Sequence, residues 1–516
     1  MNEPLAATTN GASAAIGMDS VNPKRWASLF ALCLLTGLVW LTASDISIAL
    51  PTIGKAFGGS MDSLQWAVNG YFLTGSLIIV GGRLGDIVGR RRLFIIGAGL
   101  LITGSVVAMT ASGVNQLVAG RLIEGVGAAA ILPTSLAMVA VGFPEKERAK
   151  AIGIWIATAW GGQGVGPLIG GALVQAFGWQ AIFWINLPLG LVAVWLVLRT
   201  TPESSAGEVG AKLDIPGAVT LVGGIALISL ALVSMDTATS TELIGMGVGA
   251  LVLFALFALI ESRTADPLLP LSVFKRPLFV GSVTANLLAN VAFAAVVFLM
   301  SLYLQDVLGY GALKAGALLL PATITVLIIN VIGQKLTERK IFRFPIVLGM
   351  MFLAAGCLLL TTLDQTYASL IPGFILVGIG VGLQITPATE LAIDSAGVGE
   401  GVASGAFKST SMIGGSLGVA AATAVFQNVS STNLGGQIQR GLAAGLDKTH
   451  LLDVMTGSYR PEGLPDSVIS LTHVAFDDGA GYAMWVAAGA ALIGIVTSAI
   501  LLRGSKGYSG SGHGEG

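Results

Sequence analysis

Five ionisable side chains stand inside long apolar runs of this sequence, where they could do chemistry within a membrane. They are Asp45, Arg121, Glu124, Glu390 and Lys408. An ionised side chain at the centre of a bilayer costs about 2.5–3.5 kcal/mol on insertion scales, so each of these residues is a candidate functional group. The three histidines lie outside the apolar runs. Carboxylates rather than imidazoles must therefore carry any proton that crosses on side chains.

Asp45, Arg121, Glu124 and Glu390 form the set that we predict to couple proton movement. Arg121 and Glu124 are three residues apart, so they can face each other on one helix. The alternative for this pair is a static buried ion pair. Asp45 has no charged neighbour in sequence, and desolvation favours the neutral form of a carboxyl. We predict that it carries a proton, and the alternative is a simple interhelical hydrogen bond.

Glu390 and Lys408 lie nearer the ends of their apolar runs. Glu390, with Asp394 one turn further along, falls near the predicted cytoplasmic end of a span, where a solvated helix end is the alternative to a functional role. Lys408 stands early in the next span, and we expect its long side chain to reach the cytoplasmic face.

The composition decides which class of protein must position these groups. Of the 516 residues, 27 are Lys or Arg and 28 are Asp or Glu, which is 11% charged, against roughly 25% in ordinary soluble domains. Hydrophobic residues make up 54%, and the mean hydropathy is +0.83. That apolar content excludes a soluble globular protein and a disordered one. The net charge of −1 argues against a nucleic-acid binder.

Fourteen apolar runs are long enough to cross a bilayer, and their unbroken character argues against a β-barrel. The predicted fold class is an all-α polytopic membrane protein with two six-helix bundles and an extra central helix pair. The predicted segments are a disordered cytoplasmic N-terminus (1–25), an N-terminal six-helix bundle (26–199), an inserted helix pair (214–260), a C-terminal six-helix bundle (278–503) with a long extracytoplasmic loop (427–479), and a cytoplasmic tail (504–516).

The charge of the loops gives the orientation. With the N-terminus inside, 20 of the 27 basic residues face the cytoplasm, five face outward, and Arg121 and Lys408 lie within spans. This bias predicts that both termini are cytoplasmic. In the long outer loop, residues 434–442 could form an amphipathic helix on the membrane surface. The alternative is a poorly ordered loop.

The sequence contains no Gly-x4-Gly-Lys-Ser/Thr motif for ATP and no Cys/His spacing typical of a metal site. We therefore expect no metal, no cofactor and no enzymatic activity. Energy must come from an ion or substrate gradient, or none is needed. A faint internal repeat points to a transporter, because residues 82–92 and 333–340 each follow the second span of a six-span half. Duplicated halves are the build of many secondary transporters.

Glycines and charged residues are combined in the loop after the second span, Gly82-x-Leu84-x-Asp86-x-x-Gly89-Arg90-Arg91-Arg92. The glycines let two helix ends approach closely, and Asp86 can pair with an arginine or cap a helix start. We interpret Gly82, Asp86, Gly89, Arg90 and Arg91 as a breakable latch between helices. The alternative is that the arginines only hold the loop on the cytoplasmic side.

A second glycine pattern, Gly162-x-x-x-Gly166-Pro167-x-x-Gly170-Gly171, lies mid to late in the fifth span. The glycines at 162, 166 and 170 recur every four residues and make one smooth helix face, against which another helix can pack closely. Pro167 leaves a carbonyl without its helical partner and favours a kink. An ordinary glycine packing seam is the alternative.

These motifs resemble those of the major facilitator superfamily. Residues 82–92 are similar to its signature loop, residues 162–171 to the motif of its proton-coupled antiporters, and residues 121–129 to its fourth-span motif, whose arginine is implicated in proton coupling. Residues 179–190 and 302–310 resemble the fourteen-span drug/proton antiporter branch (EmrB/QacA-type). The resemblance implies the major facilitator fold and the export of small amphipathic compounds against inward proton flow.

Three departures from the family pattern concern the proton sites. The first-span motif carries an aspartate where this chain has Thr42, and Asp45 follows three residues later, on nearly the same helix face and about 4.5 Å further out. Glu124 stands where the fourth-span motif usually has Gln, and Glu390 stands where the family is usually apolar. The intramembrane carboxylates are therefore predicted to have moved in this chain.

The predicted function is proton-coupled antiport of small hydrophobic or amphipathic compounds by alternating access, by a monomer in the bacterial inner membrane. The expected partners are the substrate, protons and the lipid bilayer, with no nucleic acid, and a periplasmic adaptor is left open. A proton-coupled symporter of the same fold and a flippase for lipids or envelope components are the alternatives.

Overall fold

The computed structural model describes residues 23–57, 61–204, 214–234, 238–264, 267–363, 366–398, 400–437 and 466–505, and every regular element within them is helical. In the core of a bilayer no water is available to backbone N–H and C=O groups. A helix satisfies these groups internally, so it is the stable form for long apolar runs. The predicted all-α class is confirmed for the described residues.

The N-terminal half is built from eight described helices. They are α1 (Arg25–Phe57), α2 (Met61–Gly75), α3 (Ile78–Val88), α4 (Arg90–Met109), α5 (Val114–Gly142), α6 (Glu145–Phe177), α7 (Ala181–Trp184) and α8 (Asn186–Thr200). The α2 and α3 axes differ by 44°, so the two helices form one bent pair. Helix α1 packs along α6, and α4 packs along α5. These two contacts position the charged side chains discussed below.

Two helices that pack on each other follow in sequence, α9 (Ile215–Val233) and α10 (Ser240–Glu261). The C-terminal half then contains α11 (Pro277–Leu302), α12 (Ala312–Leu318), α13 (Leu320–Glu338), α14 (Arg343–Leu359), α15 (Tyr367–Ser395), α16 (Glu400–Gln437) and α17 (Asp466–Leu501). A π-helical turn, Tyr303–Val307, extends α11. Helix α9 contacts α16, where Ser229 Oγ and Ser416 Oγ are 3.2 Å apart.

By length and composition, eleven helices of the described residues could each cross a membrane, or twelve if the bent α2–α3 pair is one span. Helix α14 has only 17 residues, somewhat fewer than the roughly 20 of a typical span. Helix α6 is long enough to cross a membrane, but its seven glycines lower its mean hydropathy. The predicted total of fourteen spans, with α9 and α10 as an inserted pair, stays a prediction.

Matching glycine seams show that the two halves share one scaffold. In the seam between α4 and α5, a Cβ atom at Gly104 would lie 2.6 Å from Gly120 O. In the seam between α14 and α15, a Cβ atom at Gly356 would lie 2.9 Å from Gly373 O. The sequence carries this repeat as Gly-x4-Gly-x-Gly, which begins at Gly120 in α5 and at Gly373 in α15. Sequence reasoning missed this pattern, although it is clearer than the predicted loop repeat.

A second pair of glycines continues each seam two turns away. A Cβ atom at Gly127 would lie 2.7 Å from Gly97 O, and one at Gly380 would lie 2.7 Å from Gly349 O. Real Cβ atoms do not approach backbone this closely, so only glycine permits these helix–helix distances. The register of the two seams is therefore the same along their whole length.

Both ends of the predicted long outer loop, 427–479, are helical. Helix α16 continues to Gln437 and α17 begins at Asp466. The helices run past the apolar segments because, once a helix exists, each added residue gains a backbone hydrogen bond whatever its side chain. Of the predicted surface helix at 434–442, residues 434–437 end α16 and the remainder lies outside the described residues. Residues 1–22 and 506–516, at the predicted termini, also lie outside them.

Candidate functional site

Arg121 and Glu124 form a buried ion pair on α5. Both side chains are 0% exposed, and Arg121 Nη1 lies 2.8 Å from Glu124 Oε2. The guanidinium also donates from Nε to Ala67 O at 2.7 Å and from Nη1 to Thr42 O at 3.1 Å, and its Cζ lies 4.4 Å from the centre of the Tyr71 ring. The predicted contact between these two residues is therefore confirmed.

A chain of side-chain hydrogen bonds leads from Glu124 back to α1. Ser105 Oγ donates to Glu124 Oε1 at 2.6 Å, and Asn186 Nδ2 donates to Ser105 Oγ at 3.0 Å. Thr42 Oγ1 then donates to Asn186 Oδ1 at 3.1 Å. All of these side chains are buried. One polar network thus joins α1, α4, α5 and α8, and each of its links is strengthened by the low dielectric around it.

Sequence reasoning missed three members of this arrangement, Tyr71, Ser105 and Asn186. A single Ser or Tyr in an apolar run gives no periodic or compositional signal. Asn186 lies in the segment 179–190, which resembles the drug/proton antiporter branch. This position was the one feature of the sequence that could have marked Asn186 as a candidate site residue.

Asp45 lies one turn along α1 from Thr42 and outside the network. Its side chain is 1% exposed, and neither of its carboxyl oxygens has a hydrogen-bond partner within the described residues. The interhelical hydrogen bond that was the alternative prediction is therefore not among the contacts of the described chain. Helix α6 packs directly on this residue, since a Cβ atom at Gly170 would lie 2.7 Å from Asp45 Cβ. A carboxyl buried in this way is costly to ionise.

Two amides on α2 are buried without partners in the same half. Gln65 and Asn69 are fully buried and one turn apart, and among the described residues none of their side-chain nitrogen or oxygen atoms is hydrogen-bonded. Buried polar groups in native proteins are normally satisfied, and exceptions mark candidate functional groups. Together with Asp45, these amides place several buried polar atoms without a described hydrogen-bond partner in the interior of the N-terminal half.

Glu390 does not join this cluster. Its side chain is 43% exposed, and its Oε1 lies 3.5 Å from Lys340 Nζ. Asp394 Oδ2 lies 3.8 Å from the same Nζ. Lys408 is half-buried on α16 and has no ion pair or hydrogen bond in the part of the chain that the structure describes. The structure therefore places Arg121, Glu124 and Asp45 in one half and Glu390 in the other half, near the end of α15 and beside Lys340.

The glycine face of α6 packs closely against another helix, as predicted, and the structure identifies that helix as α1. A Cβ atom at Gly162 would overlap the Gly37 backbone, and one at Gly166 would lie 3.0 Å from Leu41 O. Together with Gly170 against Asp45, these contacts leave no room for side chains along the α1–α6 seam.

The other two residues of this motif contact the C-terminal half. A Cβ atom at Gly171 would lie 2.9 Å from Leu313 Cα, and Pro167 O lies against Gly316, both on α12. Helix α6 continues through Pro167 as a single element. The motif therefore lies where α6 contacts α1 on one side and the opposite half on the other.

The predicted latch lies at the turn between α3 and α4. Asp86 Oδ1 accepts from Arg90 Nη2 at 2.8 Å and from Arg90 Nε at 3.0 Å. Gly89 joins the two helices with φ +108°, a conformation that residues with a side chain rarely adopt. Glu203, which sequence reasoning missed, accepts from Arg91 N at 2.9 Å. These contacts hold the latch residues to one another and to the end of the N-terminal half.

A cavity of about 360 Å³ lies between this turn and the C-terminal half. Gly82, Asp86 and Arg90 line one side, and Ile393 and Gly405 line the other. The Asp86–Arg90 ion pair therefore borders an open space between the halves.

A smaller cavity, of about 40 Å³, lies along α1 between the halves. Its walls include Ser44 and Ser47 of α1, Gln163 and Pro167 of α6, and Phe293 of α11. A volume of this size holds only a few water molecules. Asp45 follows Ser44 directly in sequence, so the buried carboxyl and the cavity wall belong to the same turn of α1.

The family model of the Major Facilitator Superfamily matches residues 29–419. The chain is 31% identical over 464 residues to the multidrug resistance protein Stp of Mycobacterium tuberculosis (strain CDC 1551 / Oshkosh), which covers 89% of this chain and 86% of that protein. It is 33% identical over 433 residues to the quinolone resistance protein NorB of Staphylococcus aureus (strain MRSA252), covering 80% and 93%. It is 31% identical over 491 residues to the tetracenomycin C resistance and export protein of Streptomyces glaucescens, covering 91% and 90%.

Solved structures share the fold. The POT family transporter PepTSo superposes with a TM-score of 0.62 at 15% identity, covering 93% of this chain and 99% of that one. A bacterial homologue of the human lysosomal transporter Spinster, inward-facing and unoccupied, gives 0.60 at 16% identity, covering 94% and 99%. The chain therefore belongs to the major facilitator superfamily of multi-pass membrane transporters, and the three relatives are named as resistance proteins, one of them also as an export protein.

Replacing Gly166 by Leu should abolish transport while leaving membrane insertion intact, because a side chain there would collide with the α1 backbone. Gly161 offers a matched control on the same helix, since nothing lies within 4 Å of a Cβ atom placed there. We expect Gly161→Leu to keep most of the wild-type rate. The measurement is efflux from cells that express equal membrane amounts of each variant, and normal efflux by Gly166→Leu would contradict the close α1–α6 contact.

Replacing Asp86 by Asn should slow transport severalfold with little change in substrate binding, because the residue belongs to the latch and not to a binding surface. Lys146→Gln is the control for altered charge on the same face, since Lys146 is exposed at the start of α6 and lies outside the latch. Efflux rate and substrate binding are measured on the same preparations. A full efflux rate in Asp86→Asn would contradict the latch and favour the alternative, in which the arginines only hold the loop on the cytoplasmic side.

Proposed function

We propose that this protein is a proton-coupled antiporter that exports small amphipathic compounds by alternating access. The observation that carries the proposal is Asp45, a buried carboxyl without a hydrogen-bond partner in the described chain, packed against the glycine face of α6. The likeness to resistance and export proteins supports the substrate class. The proposal includes the fourteen-span organisation, with α9 and α10 as the inserted pair.

In this proposal Asp45 carries the proton. An enclosed carboxyl without donors is far cheaper to bury neutral than ionised, so Asp45 holds its proton while α1 and α6 enclose it. Opening towards the cytoplasm admits water and lets the carboxyl ionise. Opening towards the outside lets it take up a proton again, and substrate leaves at that stage.

Arg121 supplies the fixed charge that a deprotonated Asp45 can turn to. Its guanidinium is held by Ala67, Thr42 and Glu124, yet Nη2 has no hydrogen-bond partner within the described residues. A nearby opposite charge favours the ionised form of a carboxyl. We propose that Asp45 alternates between an isolated neutral state and an ionised state directed towards this free donor.

The contacts between the halves support access from one side at a time. Helix α6 touches α12 at Gly171, and Ser301 Oγ of α11 donates to Ser47 O of α1 at 3.0 Å. The cavity of about 360 Å³ borders the latch, on the face that carries most of the basic residues. By the positive-inside rule that face is cytoplasmic, so the arrangement corresponds to substrate entry from the cytoplasm.

The proton gradient supplies enough energy for export. One proton that moves inward through 100 mV releases about 2.3 kcal/mol. Since about 1.4 kcal/mol corresponds to a tenfold ratio, this sustains roughly a 50-fold gradient of a neutral compound. A monocation expelled against one proton gains nothing from voltage, so voltage would drive the export of cations only if a second proton site took part.

Replacing Asp45 by Asn should abolish proton-driven efflux, because Asn keeps the size and polarity of the side chain but cannot release a proton. Substrate binding and energy-independent exchange should persist. Substrate-induced proton release from everted vesicles measures the coupling directly. Wild-type coupling in Asp45→Asn would sink the proposal and direct attention to Glu124. A pH gradient unaffected by drugs in the wild type would instead favour the symporter or flippase alternatives.

The double variant Thr42→Asp with Asp45→Asn tests whether the carboxyl can be moved back by one turn. Thr42 O accepts from Arg121 and Thr42 Oγ1 donates to Asn186, so a carboxylate at 42 would stand beside the same network. We expect partial recovery of proton-driven efflux. The matched control Thr42→Asn with Asp45→Asn, which restores polarity but no titratable group, should recover none.

A further inference from the structure

A groove at the beginning of α14 takes no part in the proposed transport path. It has a volume of about 600 Å³, and its lining includes Arg339, Lys340 and Arg343 at one end and Phe344 and Met351 at the other. Three cationic side chains within five residues, followed by apolar ones, make the groove strongly amphipathic along its length.

The cations at this end are only partly neutralised. Arg339 is exposed and has no ion pair or hydrogen bond in the described chain. Lys340 Nζ lies 3.5 Å from Glu390 Oε1 and 3.8 Å from Asp394 Oδ2, but both carboxylates belong to α15 and neither lines the groove. Arg343 Nη2 donates to Ala499 O at 2.8 Å, which fixes its guanidinium at the groove wall without neutralising its charge.

The apolar end continues down the outer face of α14. Phe344, Val347, Leu348 and Met351 stand at positions i, i+3, i+4 and i+7, so they share one face of the helix. Phe344 is 61% exposed and Met351 is 50% exposed. A soluble anion would satisfy the arginines but leave this apolar wall uncovered, whereas a lipid covers both ends at once.

We infer that this groove binds an anionic phospholipid, with the headgroup phosphate at Arg339, Lys340 and Arg343 and the acyl chains along α14. The predicted orientation places the groove in the cytoplasmic leaflet, where anionic lipids attract basic side chains by about 1 kcal/mol each. The two α15 carboxylates compete with the headgroup for Lys340. Removal of a groove cation and removal of a competing carboxylate should therefore change lipid binding in opposite directions.

The test measures lipid binding to the purified full-length protein, titrated with phosphatidylglycerol or phosphatidylcholine and followed by native mass spectrometry. Arg339→Gln should weaken phosphatidylglycerol binding about fivefold, which is 1 kcal/mol converted at 1.4 kcal/mol per tenfold, and should leave phosphatidylcholine binding unchanged. Glu390→Gln should strengthen phosphatidylglycerol binding. Arg148→Gln, which removes another exposed arginine at the start of α6 and outside the groove, is the matched control and should have no effect.

Two results would overturn the inference. Equal weakening by Arg339→Gln and Arg148→Gln would show that general surface charge, not this groove, attracts the lipid. Displacement of phosphatidylglycerol by inorganic phosphate at equal concentration would show that the groove recognises a soluble anion. Neither result bears on Asp45, because the assay measures lipid binding and requires no proton-driven transport.

Discussion

The cost of burying charge in a bilayer is the constraint on which the rest of this structure depends. Arg121 and Glu124 are fully buried, and each can remain there only because neighbouring groups replace the water that it has lost. A backbone carbonyl of α2, another of α1, an aromatic face and a serine hydroxyl do so. Four helices are thereby held in one relative position around a charged centre. Asp45 has no such group within the described residues. Among these three side chains, Asp45 is therefore the one whose cost of burial changes most when it gains or loses a proton.

Glycine determines how closely the helices can approach this centre. The α4–α5 seam brings the two backbones within contact distance, and Gly104 leaves the space that the Glu124 side chain fills, since a Cβ atom at Gly104 would lie 2.7 Å from Glu124 Cγ. The α1–α6 seam does the same for Asp45 through Gly170. Smooth seams also lack interlocking side chains, so one helix can slide against another at little steric cost. Close packing and the proposed alternating access thus make the same demand on the sequence, namely small residues at regular spacing.

The sequence predicted the helical class, the positions of most helices and the Arg121–Glu124 contact, because apolar run length and three-residue spacing are local properties. The seam at Gly162, Gly166 and Gly170 was predicted for the same reason. The partners of these groups depend on tertiary contacts and leave little local trace. Asn186 is 81 residues from Ser105 and 144 from Thr42, so no spacing rule connects them. Glu390 was placed with the proton-coupling residues because it interrupts an apolar run, whereas its exposure and its contact with Lys340 arise only after folding.

The duplicated scaffold carries a buried ion pair in the N-terminal half and apolar side chains at the equivalent places in the C-terminal half. A Cβ atom at Gly104 would lie 2.7 Å from Glu124 N. A Cβ atom at Gly356, the counterpart of Gly104 in the other half, would lie 2.7 Å from Val377 N. Glu124 and Val377 therefore occupy equivalent places, and by the same register Arg121 corresponds to Phe374. Both C-terminal residues are fully buried, so this helix pair packs well with apolar side chains. Replacing a buried ion pair by apolar residues is often neutral or stabilising. Packing alone gives no reason to keep Arg121 and Glu124, and the static ion-pair alternative consequently explains less than a role in moving charge.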